Sequence, residues 1–225
     1  MALILNIDTA TTSGSVSLSR DGKVIQTLIN EKQQDHAATM TLFVQQILKE
    51  QGILPGQLDA IAVSAGPGSY TGLRVGVATA KGLCYAWNKP LLAISTLKMM
   101  AQGMLTTVSD ASAWYCPMLD ARRQEVFTAV YDVQLQEILP PQAMILEPAS
   151  FEQQLSTHRI IFFGDGSPKW QVMLSSHKNA IFAQYQINAA HMAVISEAAF
   201  NEKQFVDLAY FSPFYLKPFY SPQKP

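Results

Sequence analysis

Residues 61–87 read IAVSAGPGSYTGLRVGVATAKGLCYAW, and the fold turns on how this stretch is parsed. The apolar, β-branched run 61–65 has the length of a short buried strand. Gly66-Pro67-Gly68 ends it, because glycine and proline punctuate regular structure. Ser69 or Thr71 then offers a hydroxyl to the orphan N–H groups of a helix start. The helical pattern that follows carries a small residue at every fourth position: Gly72, Gly76, Ala80 and Cys84. Such positions share one helix face. A glycine inside a helix costs about 1 kcal/mol relative to alanine, so two on one face demand a packing reason. The unit admits three uses: holding a phosphate, meeting a partner, or closing the chain's own interior.

Upstream, residues 3–8 (LILNID) read as a buried strand ending in a carboxylate, followed by the hydroxyl-rich turn 9–14 and a second strand at 15–19. Asp21-Gly22 is a hairpin signal and 23–30 a third strand. A strand ending in Asp8, a Thr/Ser/Gly turn and a hairpin return resemble the opening of the actin-like, sugar-kinase and Hsp70 ATPase superfamily, whose turn approaches nucleotide phosphates. Asp8 serves equally well as a turn-capping carboxylate. Asp35 is the expected N-cap of a helix over 36–51, in which Ala37, Met40, Thr41, Val44, Ile47 and Leu48 recur at helical spacing and Phe43 widens the stripe. Gly52 closes it. His36 is expected at the surface of the first turn.

Downstream comes a strand at 91–94, then a helix capped by Ser95-Thr96 and running through Leu97, Met99, Met100 and Met104. Three strands, then helix, strand, helix, strand, helix predict an α/β domain with a mixed sheet. The small polar run 109–112 marks a boundary. The expected domains are therefore 1–108, and a smaller one at 109–225. The second opens with a hairpin, 114–119 and 125–132. Pro140-Pro141 is expected to break the chain, 148–155 to form a short helix, and 159–163 a strand closed by Gly164-Asp165-Gly166-Ser167-Pro168. A further helix over 189–200 carries Met192, Ile195 and Ala199 on one face. The aromatic, proline-rich end, 210–220, is no regular helix and too apolar for a disordered tail. It is expected to lie in a groove, on its own domain or back on the first.

Composition narrows the function. Of 225 residues 48% are apolar and 15% charged, and 16 basic residues face 17 acidic ones. A chain that binds nucleic acid by itself carries a basic surplus, and this one has none. Two cysteines, Cys84 and Cys116, form no disulfide framework and no metal-spaced set. No signal peptide and no membrane-length apolar run is visible, so the expectation is a reduced, cytoplasmic, globular protein. Leu73-Arg74 follows Gly72 where a P-loop needs Lys-Ser/Thr. G-x-S-x-G and H-E-x-x-H are absent. His36, His158, His177 and His191 are dispersed. Asp120 with Arg122, Arg123 and Glu125 reads as a solvated turn, and Asp165 between two glycines as a turn former.

These motifs together carry a family resemblance. Asp8-Thr9 with Gly14, the run Ser64-Ala65-Gly66-Pro67-Gly68-Ser69-Tyr70-Thr71-Gly72-Leu73-Arg74-Val75-Gly76, then Ala80-Lys81-Gly82-Leu83, and Pro213-Phe214-Tyr215-Leu216 resemble the TsaB (YeaZ) family of bacterial tRNA threonylcarbamoyladenosine biosynthesis proteins. The resemblance implies two actin-like (ASKHA, RNase H-like) domains with mixed sheets flanked by helices. It implies a part in making N6-threonylcarbamoyladenosine at position 37 of tRNAs that read codons starting with adenine. The implied partners are a TsaD-type catalytic paralogue and a TsaE-type ATPase, with a homodimer when the chain is alone and tRNA reached only through the complex. The TsaD branch carries a His-x-x-x-His metal pair after the strand that follows the glycine-rich helix. Here Thr96 and Met100 stand at those positions, and a hydroxyl and a thioether are poor ligands for iron or zinc.

The leading expectation is therefore a non-catalytic activator with no catalytic residue, no metal and no cofactor of its own, leaving ATP or ADP to the complex interface. Its partner-binding helix faces are expected at Ala37, Met40, Thr41, Val44 and Leu48, and at Gly72, Leu73, Gly76, Val77, Ala80 and Cys84. Asp8, Thr9, Gly66 and Gly68 are candidates for a vestigial nucleotide loop. An alternative is an ATP-binding actin-like ATPase or kinase; a metallopeptidase is a weaker one. Packing of both helices within the subunit alone is the plainer competing account of the same faces.

Overall fold

The computed structural model describes residues 2–30, 36–108, 110–174 and 176–217. The expected cap at Asp35 and the tail beyond residue 217 lie outside the described residues. The first lobe runs β1 (Leu3–Asp8), β2 (Gly14–Arg20), β3 (Lys23–Asn30), α1 (His36–Glu50), β4 (Ala60–Gly66), α2 (Tyr70–Trp87), β5 (Leu91–Ser95) and α3 (Thr96–Thr107). The second repeats the order with β6 (Ala113–Asp120), β7 (Glu125–Tyr131), β8 (Glu137–Ile145), α4 (Glu152–Thr157), β9 (Arg159–Phe163), α5 (Ser167–Met173) and β10 (Ala180–Ala183). A 3-10 turn (Ala189–Met192), α6 (Ala193–Asn201) and β11 (Phe205–Val206) follow.

The sheets are built alike. Their orders are β11-β5-β4-β1-β2-β3 and β10-β9-β6-β7-β8. In each, three antiparallel strands continue into two parallel ones: β1 pairs antiparallel with β2 and parallel with β4, and β6 does the same with β7 and β9. Every residue of β1 and β4 is buried, because both faces of the first sheet are covered. That double burial is why LILNID and AIAVSAG read as apolar runs rather than alternating patterns.

Three cores follow from the layering. Met40, Val44 and Ile47 of α1 and Val77 and Ala80 of α2 pack on one face of the first sheet. The opposite face, with Ile4, Ala62 and Leu92, shares a core with α3 and with Tyr115, Tyr131 and Phe163 of the second sheet. Trp170, Phe151 and Phe162 fill the space between the second sheet and its outer helices.

Three sequence expectations need correcting here. The helix at 189–200 and the strand after it belong to the first lobe: β11 pairs antiparallel with β5, and Ser196 Oγ donates to Asn6 Oδ1 at 2.8 Å. A boundary that leaves all of 109–225 in the second domain is therefore wrong for this segment, and the second lobe ends at β10. Pro140 and Pro141 do not break the chain. They lie within β8, an edge strand, where pairing with β7 skips from Thr128↔Gln142 to Val130↔Leu139. An edge irregularity needs no N–H from either proline. Finally, α5, β10 and β11 were not foreseen, and the 189–200 helix begins as a 3-10 turn.

Candidate functional site

Helix α2 is positioned at both ends by its own sequence. Ser69 Oγ accepts the Gly72 N–H at 3.3 Å, and Asn88 closes the other end in a left-handed conformation with its N–H on Cys84 O. The small face between them does not wait for another molecule. The turn after β1 lies against it, with Thr9 Oγ1 donating to Gly72 O at 2.7 Å. A Cβ on Gly72 would overlap Thr9 O, one on Gly76 would overlap Thr9 Oγ1, and one on Gly68 would overlap Ala10 O. Gly72, Leu73, Gly76, Val77, Ala80 and Cys84 are all buried within the chain. So are Met40, Val44 and Leu48 on α1. These residues are therefore interior packing and not a surface open to a partner, because a helix stripe that covers its own sheet has no free face on that side. Thr41 alone of the α1 set is exposed, and the Ala37 side chain lies outside the described residues.

The other faces of these adjoining helices are open. Leu42 on α1 is 61% exposed and Tyr85 on α2 is 84% exposed, with Ala78 exposed on the same helix.

Asp8, Thr9, Gly66 and Gly68 do come together, but they spend their polar groups on one another's neighbours. Asp8 Oδ1 accepts the Ala10 N–H at 3.1 Å, Thr9 N–H points to Ser64 Oγ at 3.4 Å, and Ser69 N–H donates to Ala10 O at 2.7 Å. Phe214 N–H donates to Ala65 O at 2.7 Å, and Phe214 O stands where a Gly66 Cβ would go. The glycine loop is thus filled by the first turn on one side and by the chain's own tail on the other.

The second lobe repeats the device. Gly164, at φ +96°, packs under Met118 O, and Gly166 N–H donates to that same oxygen at 3.0 Å. Asp165 Oδ1 accepts the Asp120 N–H at 2.9 Å. Asp120 Oδ1 takes the Arg122 N–H and the Lys169 ammonium, each at 2.6 Å. Burial, with the neighbouring Asp120 carboxylate, raises the Asp165 carboxyl above the usual range despite that backbone bond.

Between the two glycine turns lies a cleft of about 640 Å³, lined by Thr11, Thr12, Ser69 and Thr71 from the first lobe, Asp120, Arg122 and Asp165 from the second, and the tail at Phe214 and Lys217. A neighbouring hollow of about 270 Å³ reaches Met100, Tyr185 and Gln186. At its base Tyr185 OH and His191 Nδ1 are 2.6 Å apart. Burial, then the Asp8 charge, pushes the Tyr185 phenol well up, and burial lowers His191 to about 4. This pair escaped sequence reading. Its one trace was Gly103, where the His191 ring leaves no room for a Cβ.

Thr96 and Met100 fall in the first turns of α3, both buried. Neither brings a metal ligand, and among the described residues no group of three or more His, Cys, Asp or Glu gathers where an ion would sit. The donor set at these two positions does not fit a metal.

Comparison with known proteins gives the family and the fold. The family model described as TsaD, tRNA N6-adenosine threonylcarbamoyltransferase, matches residues 24–216. The chain is 32% identical over 146 residues to the tRNA threonylcarbamoyladenosine biosynthesis protein TsaB of Bacillus subtilis, covering 64% of this chain and 62% of that protein. It therefore spans less than two thirds of that relative's length. With the TsaB of Haemophilus influenzae it is 29% identical over 227 residues, 95% of this chain and 93% of that protein. A solved structure from Pseudomonas aeruginosa, described as similar to peptidase YEAZ, superposes with a TM-score of 0.83 at 25% identity, over 96% of this chain and 100% of that one.

Proposed function

The chain belongs to the TsaD family and stands with its TsaB (YeaZ) proteins, and from that premise we propose that it is a non-catalytic subunit that activates a TsaD-type transferase in forming N6-threonylcarbamoyladenosine at position 37 of tRNAs reading codons that start with adenine. The observation that carries the non-catalytic part is the glycine loop. The Ser69 N–H beside it is taken by Ala10 O, Phe214 N–H takes the Ala65 carbonyl, and the room beside Gly68 and Gly66 is filled by Ala10 and Phe214 of the same chain. The poor ligands at Thr96 and Met100 support the same reading. In this scheme tRNA is met through the complex, a TsaE-type ATPase joins the pair, ATP or ADP binds at the complex interface, and the setting is the cytoplasm. No helix among the described residues is long and apolar enough to cross a membrane.

The surface for the partner is the outer side of α1 and α2, around Leu42 and Tyr85, and the same surface pairs two copies when the partner is missing. Exposed large apolar side chains on adjoining helices are the raw material of such a contact. The test is tRNA modification by a TsaD-type partner with and without this chain, together with co-purification. Modification should need the chain. Leu42→Ser with Tyr85→Ser should abolish co-purification and leave the melting temperature of the isolated chain unchanged. Retained co-purification would move the interface elsewhere.

A second reading, an actin-like ATPase, draws on the cleft with its hydroxyls and Arg122. Magnesium-dependent ATP turnover by the isolated chain would establish it in place of the first.

A further inference from the structure

We propose that residues 207–217 form a strap that sets how far the two lobes open, anchored firmly on the first lobe and latched to the second by one ion pair. The anchoring is extensive. Asp207 Oδ1 accepts the N–H groups of Ala209 and Tyr210 at 2.8 and 3.0 Å, which fixes a turn at the start of the strap. Lys81 Nζ donates to the carbonyls of Ala209 and Phe211 at 3.2 and 3.0 Å, while Leu208 and Phe211 pack on the first lobe's core. Phe214 N–H extends the end of β4 by its bond to Ala65 O. The Tyr215 ring lies 4.9 Å from that of Tyr70, and its hydroxyl accepts from Arg74 Nε at 3.2 Å.

The strap then leaves the first lobe. Phe214 through Lys217 run along the cleft, with Gly68–Thr71 on one side and Asp120–Arg122 on the other. Lys217 Nζ ends on the Glu125 carboxylate, at the start of β7 in the second lobe. The nearby Asp120 carboxylate is already engaged by Lys169, so Glu125 is the partner left for Lys217. Among the described residues the covalent chain passes between the lobes from α3 to β6 and from β10 to the 3-10 turn, and the strap adds a non-covalent crossing over the mouth of the cleft.

Anchor and latch differ in strength. An ion pair reached by solvent contributes little and is screened by salt, whereas the anchors are several hydrogen bonds together with half-buried rings. Opening therefore occurs at Lys217–Glu125, and the strap stays with the first lobe. Release needs only a small change in local charge, such as a ligand anion at Lys217 or a protein surface that competes for Glu125.

The test places spin labels at Thr71→Cys and Gln124→Cys, across the cleft mouth. Cys84 and Cys116 do not interfere, because burial raises both thiols to about 12. Lys217→Glu and Glu125→Lys should each broaden the inter-label distances to longer values. Each should also speed amide exchange in residues 120–124 about two- to fivefold, the scale of one ion pair reached by solvent. The double exchange of charges should restore the native distribution. Unchanged distances in both single variants would overturn the proposal, and so would a double variant that stays open.

Discussion

His191 is a histidine kept neutral by its surroundings. Its Nδ1 faces the Tyr185 hydroxyl at 2.6 Å and its Nε2 faces the Asn188 amide at 3.4 Å, and burial lowers it to about 4. The unfolded chain takes up that proton near pH 6.5, so between about pH 6.5 and 4 the unfolded state binds more protons than the folded one. Stability therefore falls as pH drops through that window, by on the order of 3 kcal/mol for this residue alone. Urea unfolding at a series of pH values should show the slope, and His191→Gln should flatten it. Asp165 has the opposite sign. Its raised carboxyl favours the protonated form, so it opposes part of the loss at low pH.

At the scale of elements, the three glycines of α2 separate what the helix does from what it resembles. A methyl at Gly72 meets the backbone oxygen of Thr9, which has no freedom to move, and one at Gly76 meets the Thr9 hydroxyl that bonds Gly72 O. At Gly82 it meets nothing. Gly72→Ala should destabilise by about 1–3 kcal/mol, the range for overpacking a filled site. Gly82→Ala should stabilise by about 0.5–1 kcal/mol, since an exposed helical glycine costs that much. Thermal and urea melts of the two variants check both signs. The sequence announced that something comes close to this face, because only close approach explains two helical glycines. It did not say what, because the answering turn, Thr9-Ala10, lies some sixty residues upstream and has the composition of any hydroxyl-rich loop. In the same way the periodicity of α1 revealed a buried stripe, while burial under a sheet and burial under a partner leave the same pattern. Doubly buried β1 and β4 were legible as apolar runs. The short α5 and β10 and the two-residue β11 were not, since so few residues cannot establish a period.

For the whole molecule, one topology is used twice, and the glycine turns Gly66-Pro67-Gly68-Ser69 and Gly164-Asp165-Gly166-Ser167 occupy equivalent places after β4 and β9. The lobes are unequal in one respect. The first needs α6 and β11, which cover Asn6 and extend β5, while β6 to β10 form a continuous run of chain. A fragment of residues 1–112 keeps only α3 on the sheet face of Ile4, Ala62 and Leu92, so it should leave part of that face exposed and bind a hydrophobic dye without a cooperative melt. Residues 113–183 are the segment better suited to fold alone.

That inequality has a consequence for synthesis. The Ser15 hydroxyl accepts the Ala189 N–H at 2.8 Å across 174 residues of sequence, and Asn6 waits for Ser196 across 190. On the ribosome the first-made lobe must stay unfinished until residues 189–206 have been made. The second lobe, made later, has all its strands in hand sooner. The order in which the halves are completed is then the reverse of the order in which they are begun. A nascent chain stalled before residue 189 would carry an open apolar sheet face of the kind chaperones hold.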